Sequence, residues 1–259
     1  MLLDLSKCTA CRGCQAACKQ WNDLPAVETH NWGTYQNPKD LSYDTYTLIH
    51  FTEHERDDGR LEWLFLNQRC LHCTDAACVD VCPTGALSHN EMGFVSFEED
   101  KCNGCGYCTQ FCPFGIPRLG NVSTITGEAK SSKCTMCQDR TSNGLIPACA
   151  QACPTGAIQF GDRAEMVAMG KSRVEALKAK GISSARLYGE TELGGLGQMY
   201  VLEEEAEVYG LPNDPKYPAM SSIHNVLQPV GSLAFGAAVV AAVAAFFVTR
   251  RNIHMEEVE

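Results

Sequence analysis

The chain has 259 residues, 16 of which are cysteine, and a formal net charge of −10 at pH 7. This length allows one or two domains with a sizeable hydrophobic core. The acidic balance argues against nucleic-acid binding, which requires a basic surface. No basic leader followed by an apolar run precedes the first cysteine, so the first residues predict no signal peptide and a polypeptide that stays in the cytoplasm.

The cysteines form four groups, and no cysteine lies outside them. The groups are Cys8, Cys11, Cys14 and Cys18; Cys70, Cys73, Cys78 and Cys82; Cys102, Cys105, Cys108 and Cys112; and Cys134, Cys137, Cys149 and Cys153. This internal repeat organises residues 8–160. In the last three groups the final cysteine precedes a proline and then a glycine, a pattern that ends a helical turn and reverses the chain. The first group differs, because Lys19 follows Cys18.

The spacing within the groups predicts ligands of [4Fe–4S] clusters. In the ferredoxin run C-x₂-C-x₂-C-x₃-C-P, three cysteines bind one cluster and the fourth binds the other cluster of a pair. The third group, over residues 102–113, matches this run in full, while the first lacks the proline and the other two have one wider gap. Structural zinc fits less well, because zinc sites use separated C-x-x-C pairs rather than triplets. A disulfide framework fits less well still.

The sharing of fourth cysteines implies that the groups work in pairs. Because the second and third groups are neighbours in sequence, we pair them with each other and the first group with the fourth. The hypothesis has four clusters: cluster a with Cys8, Cys11, Cys14 and Cys153; cluster b with Cys18, Cys134, Cys137 and Cys149; cluster c with Cys70, Cys73, Cys78 and Cys112; and cluster d with Cys82, Cys102, Cys105 and Cys108. The other pairing, of the first group with the second and the third with the fourth, stays open.

The segments between and after the groups predict further elements. An insertion at 31–69 contains two runs of β-branched and aromatic residues around a turn signal at 57–60, which predicts a β-hairpin. Apolar residues at helical spacing predict a helix over 162–180. Short strand-like runs follow, and three prolines make residues 210–220 an extended linker.

A membrane-spanning helix is predicted over 225–250, because residues 229–248 carry no charge. Twenty helical residues span roughly 30 Å, the thickness of a bilayer core. A buried core helix is the alternative. The small residues of the span favour packing against helices of another subunit. Arg250 and Arg251 follow the span, so the positive-inside rule predicts a cytoplasmic tail at 251–259 and a cysteine-rich body on the other side.

Together these features predict an α+β fold with two ferredoxin-like modules and one C-terminal transmembrane helix. One module comprises 1–30 and 120–165 and is interrupted by the other, at 70–119; residues 166–220 supply a helix, short strands and a linker. The sequence has no nucleophile elbow, phosphate-binding loop or dinucleotide fingerprint. We therefore expect a chain that transfers electrons and is not catalytic by itself.

Four charged or titratable residues adjoin the groups. His72 lies within the second group, but a complete set of four cysteines makes it a neighbour of the metal rather than a ligand. Lys7, Lys101 and Lys133 each precede a first cysteine. Near a cluster their charge would favour its reduced form, and the alternative is that they are ordinary surface lysines.

Several segments outside the cysteine groups resemble the iron–sulfur (beta) subunits of membrane-bound formate dehydrogenases, within the complex iron–sulfur molybdoenzyme group. The resemblance covers nearly the full length. The segments are Cys18-Lys19-Gln20-Trp21-Asn22-Asp23-Leu24-Pro25, Asn31-Trp32-Gly33-Thr34-Tyr35-Gln36-Asn37-Pro38, Ala185-Arg186-Leu187-Tyr188-Gly189 and Tyr209-Gly210-Leu211-Pro212.

The resemblance implies a catalytic alpha subunit with a molybdenum or tungsten bis-pterin centre and a cytochrome b gamma subunit that reduces quinone in anaerobic respiration. It also implies a periplasmic body that is exported in folded form on the twin-arginine signal of the alpha subunit. Two alternatives stay open. One is the beta subunit of a membrane-bound hydrogenase or of another molybdoenzyme reductase, and the other is a free-standing polyferredoxin.

Overall fold

The computed structural model describes residues 1–56, 59–123 and 125–252. The first half of the predicted turn at 57–60 and most of the predicted tail at 251–259 therefore lie outside the described residues. The chain divides into two compact units, Met1–Tyr217 and Pro218–Glu259.

A four-stranded mixed sheet forms the centre of the first unit. Strand β1 (Leu2–Asp4) pairs in parallel with β10 (Met199–Leu202) and antiparallel with β8 (Ile158–Gln159). Strand β9 (Arg186–Tyr188) pairs antiparallel with β10, which gives the order β8-β1-β10-β9. All four residues of β10 are buried, so both faces of the sheet are covered.

The two faces of this sheet contact different layers. On one face, Leu2, Met199 and Val201 pack against helix α6 (Arg163–Ala179), which lies where the helical spacing of apolar residues predicts it. On the other face, Leu3 and Tyr200 belong to a larger core that includes cysteine side chains. The sheet thus separates an ordinary hydrophobic layer from the layer that contains the thiols.

An antiparallel hairpin of β2 (Leu48–Glu55) and β3 (Leu61–Gln68) occupies the insertion between the first two cysteine groups. The hairpin is buried at its base, where Leu48 and Ile49 are almost completely covered, and becomes exposed toward the turn. Because β3 ends at Gln68, two residues before Cys70, the hairpin leads into the interior of the cysteine layer.

The remaining elements of the first unit are short. Helix α1 (Gly13–Trp21) packs against α5 (Ala148–Gln151), and α2 (Ala77–Asp80) packs against α3 (Tyr107–Gln110). The others are helix α4 (Gln138–Thr141), the hairpin of β4 (Leu87–His89) with β5 (Val95–Phe97), and the hairpin of β6 (Arg118–Asn121) with β7 (Ala129–Ser132). Single 3₁₀ turns lie at Leu5–Lys7, Glu99–Lys101, Glu192–Gly194 and Ala206–Tyr209.

The second unit consists of helix α7 (Ala219–Asn252) in its described part. Its segment Val230–Arg250 is long and apolar enough to cross a membrane, with a mean hydropathy of 2.2 and no buried residues. The helix begins before the predicted span, so it takes in the last two residues of the predicted linker at 210–220. An uncharged helix of small and aromatic residues with no covered face fits a lipid environment better than a protein core.

Each cysteine group makes the same backbone turn. The residue immediately before the second cysteine of each group has a left-handed conformation: Ala10, His72, Gly104 and Met136. At Gly104 glycine is also needed for space, because a Cβ atom there would lie 2.3 Å from the carbonyl oxygen of Ala129 on β7. The third group therefore depends on close approach of its first loop to the β6–β7 hairpin.

We predict that Gly104→Ala destabilises the chain much more than Gly144→Ala. Both glycines have φ near +72°, but a Cβ atom at position 144 meets no atom within 4 Å. The control should therefore cost only the left-handed strain, about 1 kcal/mol. At position 104 the β6–β7 hairpin must also move, so iron should be lost together with thermal stability. Equal iron content and equal melting temperatures in the two variants would contradict the prediction.

Candidate metal centres

All sixteen cysteines lie in the described part of the chain, and none of them forms a disulfide there. They collect at two places in the first unit. The first and fourth groups meet where α1 packs against α5, and the second and third groups meet where α2 packs against α3. Groups far apart in sequence are therefore neighbours in space.

Two pockets near the α1–α5 contact are each lined by four cysteines. One pocket is lined by Cys8, Cys11, Cys14 and Cys153, together with residues of β1 and its neighbours. The other is lined by Cys18, Cys134, Cys137 and Cys149. In both, three cysteines come from one group and the fourth comes from the other, which is the sharing that a ferredoxin pair requires.

The second and third groups also exchange a cysteine. Cys112 of the third group lies near enough to Cys70, Cys73 and Cys78 to raise the pKa of Cys73 and Cys78, although burial is the larger cause. Cys82 of the second group packs in one hydrophobic cluster with Cys102 and Cys108 of the third, and the same cluster includes Cys73 and Cys78. The pKa of Cys108 is raised chiefly by burial, and the nearby Cys105 thiolate charge would raise it further.

Burial makes most of these thiols poor acids. Chiefly through burial, the pKa of Cys14 and that of Cys137 rise to about 12. A thiol with such a pKa stays protonated at neutral pH unless a cation compensates the thiolate charge. Iron of a [4Fe–4S] cluster supplies that compensation, and binding would release the protons. The donor set therefore fits the predicted cluster.

The last cysteines of the second and fourth groups behave differently. Burial raises the pKa of Cys82 and Cys153, but hydrogen bonds from the following loop outweigh it and lower both pKa values. The backbone N–H groups of Thr155, Ala157 and Ile158 donate to the Cys153 sulfur. The Thr155 hydroxyl oxygen lies 3.7 Å from the same sulfur.

The repeated Cys-Pro-Thr-Gly-Ala sequence, at 82–86 and 153–157, therefore has a second structural role. The pattern reverses the chain, as predicted, and the reversal aims a row of N–H groups at the sulfur. Donors around a metal ligand orient it and stabilise its negative charge. The interpretation of the sequence missed this role, although the recurrence of a threonine two residues after the cysteine was a visible signal.

The end of strand β3 and the residue after it supply two buried polar side chains, Asn67 and Arg69, that the sequence interpretation also missed. The Asn67 amide donates from Nδ2 to Cys14 Sγ at 3.0 Å and accepts from the Thr47 hydroxyl at 2.7 Å. Two residues further on, Arg69 donates from Nη1 to Cys149 Sγ at 2.9 Å. The available signal was a pair of polar residues with strand spacing at the end of an apolar run, directly before Cys70.

His72 is completely buried near the second group. Its Nδ1 accepts the backbone N–H of Val95 at 3.1 Å. Burial is the main cause that holds the pKa of His72 well below its usual value, and the charges of Lys133 and Arg69 add to it. The imidazole is therefore neutral, and its ring contacts Phe94 edge-to-face rather than joining a cysteine set.

The three lysines that precede first cysteines are not equivalent. Lys7 and Lys101 lie at the surface, whereas Lys133 is buried. Its Nζ donates to the carbonyl oxygens of Val95 at 2.7 Å and Cys134 at 3.1 Å. Lys133 also lowers the pKa of the Cys70 thiol, against the larger effect of burial. The expectation of a charge near a cluster therefore applies to Lys133.

The two pairs of groups adjoin each other through Cys70 and Cys134, which pack in one buried cluster. By contrast, Cys11 of the first group and Cys105 of the third group are exposed. The cysteine layer is therefore continuous through its middle and reaches the surface of the unit at these two residues.

Two family models match the sequence, and each describes a 4Fe-4S dicluster domain. One covers residues 7–86 and the other covers residues 61–163. The chain is therefore a 4Fe-4S dicluster protein with two such domains and mixed helix and strand content. The matches follow chain order and overlap, so they do not separate the two pairs of groups described above.

Similarity to characterised chains extends beyond these domains. The iron–sulfur subunit of the nitrate-inducible formate dehydrogenase of Escherichia coli is 42% identical over 90% of this chain and 79% of its own length. The iron–sulfur subunit of a Haemophilus influenzae formate dehydrogenase is 41% identical over 100% and 82%. A formate dehydrogenase beta subunit of Megalodesulfovibrio gigas is 42% identical over 68% and 82%. The chain belongs to the family of formate dehydrogenase iron–sulfur subunits.

Proposed function

We propose that this chain carries four [4Fe–4S] clusters and passes electrons from a molybdenum or tungsten bis-pterin subunit to a membrane cytochrome b subunit and quinone. The main observation behind this proposal is that the sixteen cysteines form two pairs of groups, in which each group lies close to the last cysteine of the other. Membership of the formate dehydrogenase family supports formate as the electron source of the complex.

The ligands of the four clusters are those defined above as sets a, b, c and d. The pockets lined by four cysteines support sets a and b. The proximity of Cys112 to Cys70 supports set c, and the packing of Cys82 with Cys108 supports set d. The same contacts favour a module of 1–30 with 120–165 that encloses the module of 70–119.

The order of electron transfer follows from the contacts between sets. Sets a and b share α1 and α5, sets c and d share α2 and α3, and Cys134 of set b packs with Cys70 of set c. We propose the row a–b–c–d, with its ends near the exposed Cys11 and Cys105. When bound, each cluster takes up and releases one electron.

The chain's own residues hold, shield and stabilise this row. The cysteine thiolates would bind the clusters. Buried side chains such as Leu3 and Ile49 exclude water from the region around these thiolates. The N–H groups after Cys82 and Cys153, and the amide of Asn67, stabilise negative charge on sulfur.

Helix α7 anchors the chain to the membrane. We propose that its C-terminal end lies in the cytoplasm and that the cysteine-rich unit is periplasmic, because Arg250 follows the apolar segment directly.

The proposed topology predicts different protease sensitivity at the two ends of the chain. In spheroplasts, an antibody epitope fused after Glu259 should resist added protease, while the cysteine-rich unit, alone or in the complex, should be reachable. Lysis should expose both. An epitope that is digested in intact spheroplasts would reverse the proposed orientation.

The pairing predicts which cluster fails when a shared cysteine is lost. Cys18→Ser should damage the cluster held by Cys134, Cys137 and Cys149, because the serine oxygen is a poor replacement for the fourth thiolate. Cys82→Ser should instead damage cluster d. Electron paramagnetic resonance of the reduced complexes distinguishes the two losses. If Cys18→Ser damages the cluster that loses its signal in Cys73→Ser, the groups are paired wrongly.

The function as a whole is tested on the intact complex purified in mild detergent without oxygen. We expect about sixteen irons on this chain, a molybdenum- or tungsten-containing partner and a haem-containing partner. Formate should reduce a quinone analogue, and hydrogen should not. Uptake of hydrogen would favour a hydrogenase subunit. A stable, redox-active monomer without partners would favour a free-standing polyferredoxin.

A further inference from the structure

Arg69 is the largest completely buried side chain in the described part of the first unit, with 1% of its surface exposed. Its Nη1 donates to Cys149 Sγ at 2.9 Å, and its Nη2 lies 3.0 Å from the Met1 sulfur. Its Nε has no hydrogen-bond partner among the described residues. No carboxylate in those residues forms an ion pair with it. A full positive charge therefore lies in the core, and its hydrogen-bond partners among the described residues are the sulfur atoms of Cys149 and Met1.

Such a charge needs a negative counterpart. Burying an ion without compensation costs several kcal/mol, and arginine does not escape the cost by losing its proton. Arg69 lines the same cavity as the four cysteines of set b, which are Cys18, Cys134, Cys137 and Cys149. A cluster held by four thiolates carries net negative charge and supplies what the guanidinium lacks.

We propose that Arg69 sets the reduction potential of cluster b, raising it through its buried charge and its hydrogen bond to Cys149. The inference rests on the proposed function, because it requires a cluster at Cys18, Cys134, Cys137 and Cys149. Reduction adds one negative charge to that cluster. A fixed cation in a water-excluded site stabilises the added charge with little screening.

The contacts assign the effect to cluster b rather than to cluster a. The guanidinium donates to Cys149 Sγ of set b and lines the cavity that holds the four set b cysteines. The cavity of set a is lined by Asn67 and not by Arg69, and Asn67 donates to Cys14 Sγ there. The charge of Arg69 therefore acts more directly on cluster b than on cluster a.

Lys133 offers a matched comparison on the neighbouring cluster. It is also buried, but its ammonium donates to backbone carbonyl oxygens and acts on the Cys70 and Cys78 thiols of set c. Removing its charge should move a different midpoint from the one that Arg69 controls. Arg186, which is partly exposed and paired with Glu205, provides a surface control.

The test is a redox titration of the purified complex, followed by electron paramagnetic resonance. Arg69→Met and Arg69→Gln remove the charge, and the apolar methionine leaves no buried polar group. Each should lower the midpoint potential of cluster b. At a fixed potential, the ratio of reduced to oxidised cluster b should fall about tenfold, which corresponds to a shift of about 59 mV for one electron. Arg69→Lys should keep that ratio within about threefold of the wild type, and Arg186→Gln should change no midpoint.

Several results would overturn the proposal. They are unchanged midpoints in both neutral variants, a midpoint that rises, a fall in Arg69→Lys as large as in Arg69→Met, or a fall in the same midpoint that Lys133→Met lowers. Failure of both neutral variants to bind the iron of cluster b would assign Arg69 a purely structural role and would also overturn it.

Iron content separates this inference from the proposed function. A wild-type complex without four reducible clusters would refute the proposed function, whatever the variants do. If the complex has four reducible clusters and their midpoint potentials are the same in the wild type and the Arg69 variants, this inference alone is refuted.

Discussion

The cysteine layer depends on holding groups of four thiolates close together in the interior of a protein. Thiolates repel one another and lose their hydration on burial, so such a group is unstable unless a metal core and neighbouring donors compensate it. The local backbone serves this need. The left-handed turn before each second cysteine brings the loop around the metal, and the loops after Cys82 and Cys153 aim N–H groups at sulfur. The surrounding apolar side chains of the first unit hold these loops in contact and exclude water from them.

The insertion between the first two cysteine groups contributes more than a surface feature. Hairpin β2–β3 carries Asn67 and Arg69 to the sulfurs of Cys14 and Cys149, which belong to groups on either side of it in sequence. Asn67 lies on β3 and Arg69 directly follows the strand, so one short segment contacts sulfurs of both the first and the fourth cysteine groups.

Local features of the fold could be predicted from sequence, and long-range features could not. The cysteine groups, the hairpin around Leu48–Glu55 and Leu61–Gln68, and the helix Arg163–Ala179 each have a periodic or repeated signal in one short stretch. The central sheet has none. Strand β1 has three residues, and its partner β10 lies almost two hundred residues away. The burial of Lys133 was unpredictable for the same reason, since it depends on Val95 from a separate hairpin.

The pairing of β1 with β10 has a consequence for biosynthesis. This parallel pairing cannot form until residue 202 has been made, and by then every cysteine up to Cys153 is already available. The sheet closes a loop of chain that encloses all four cysteine groups, with β8 joining from within that loop. A chain that ended before Met199 would therefore keep every cysteine but lack the central strand pairing of the sheet.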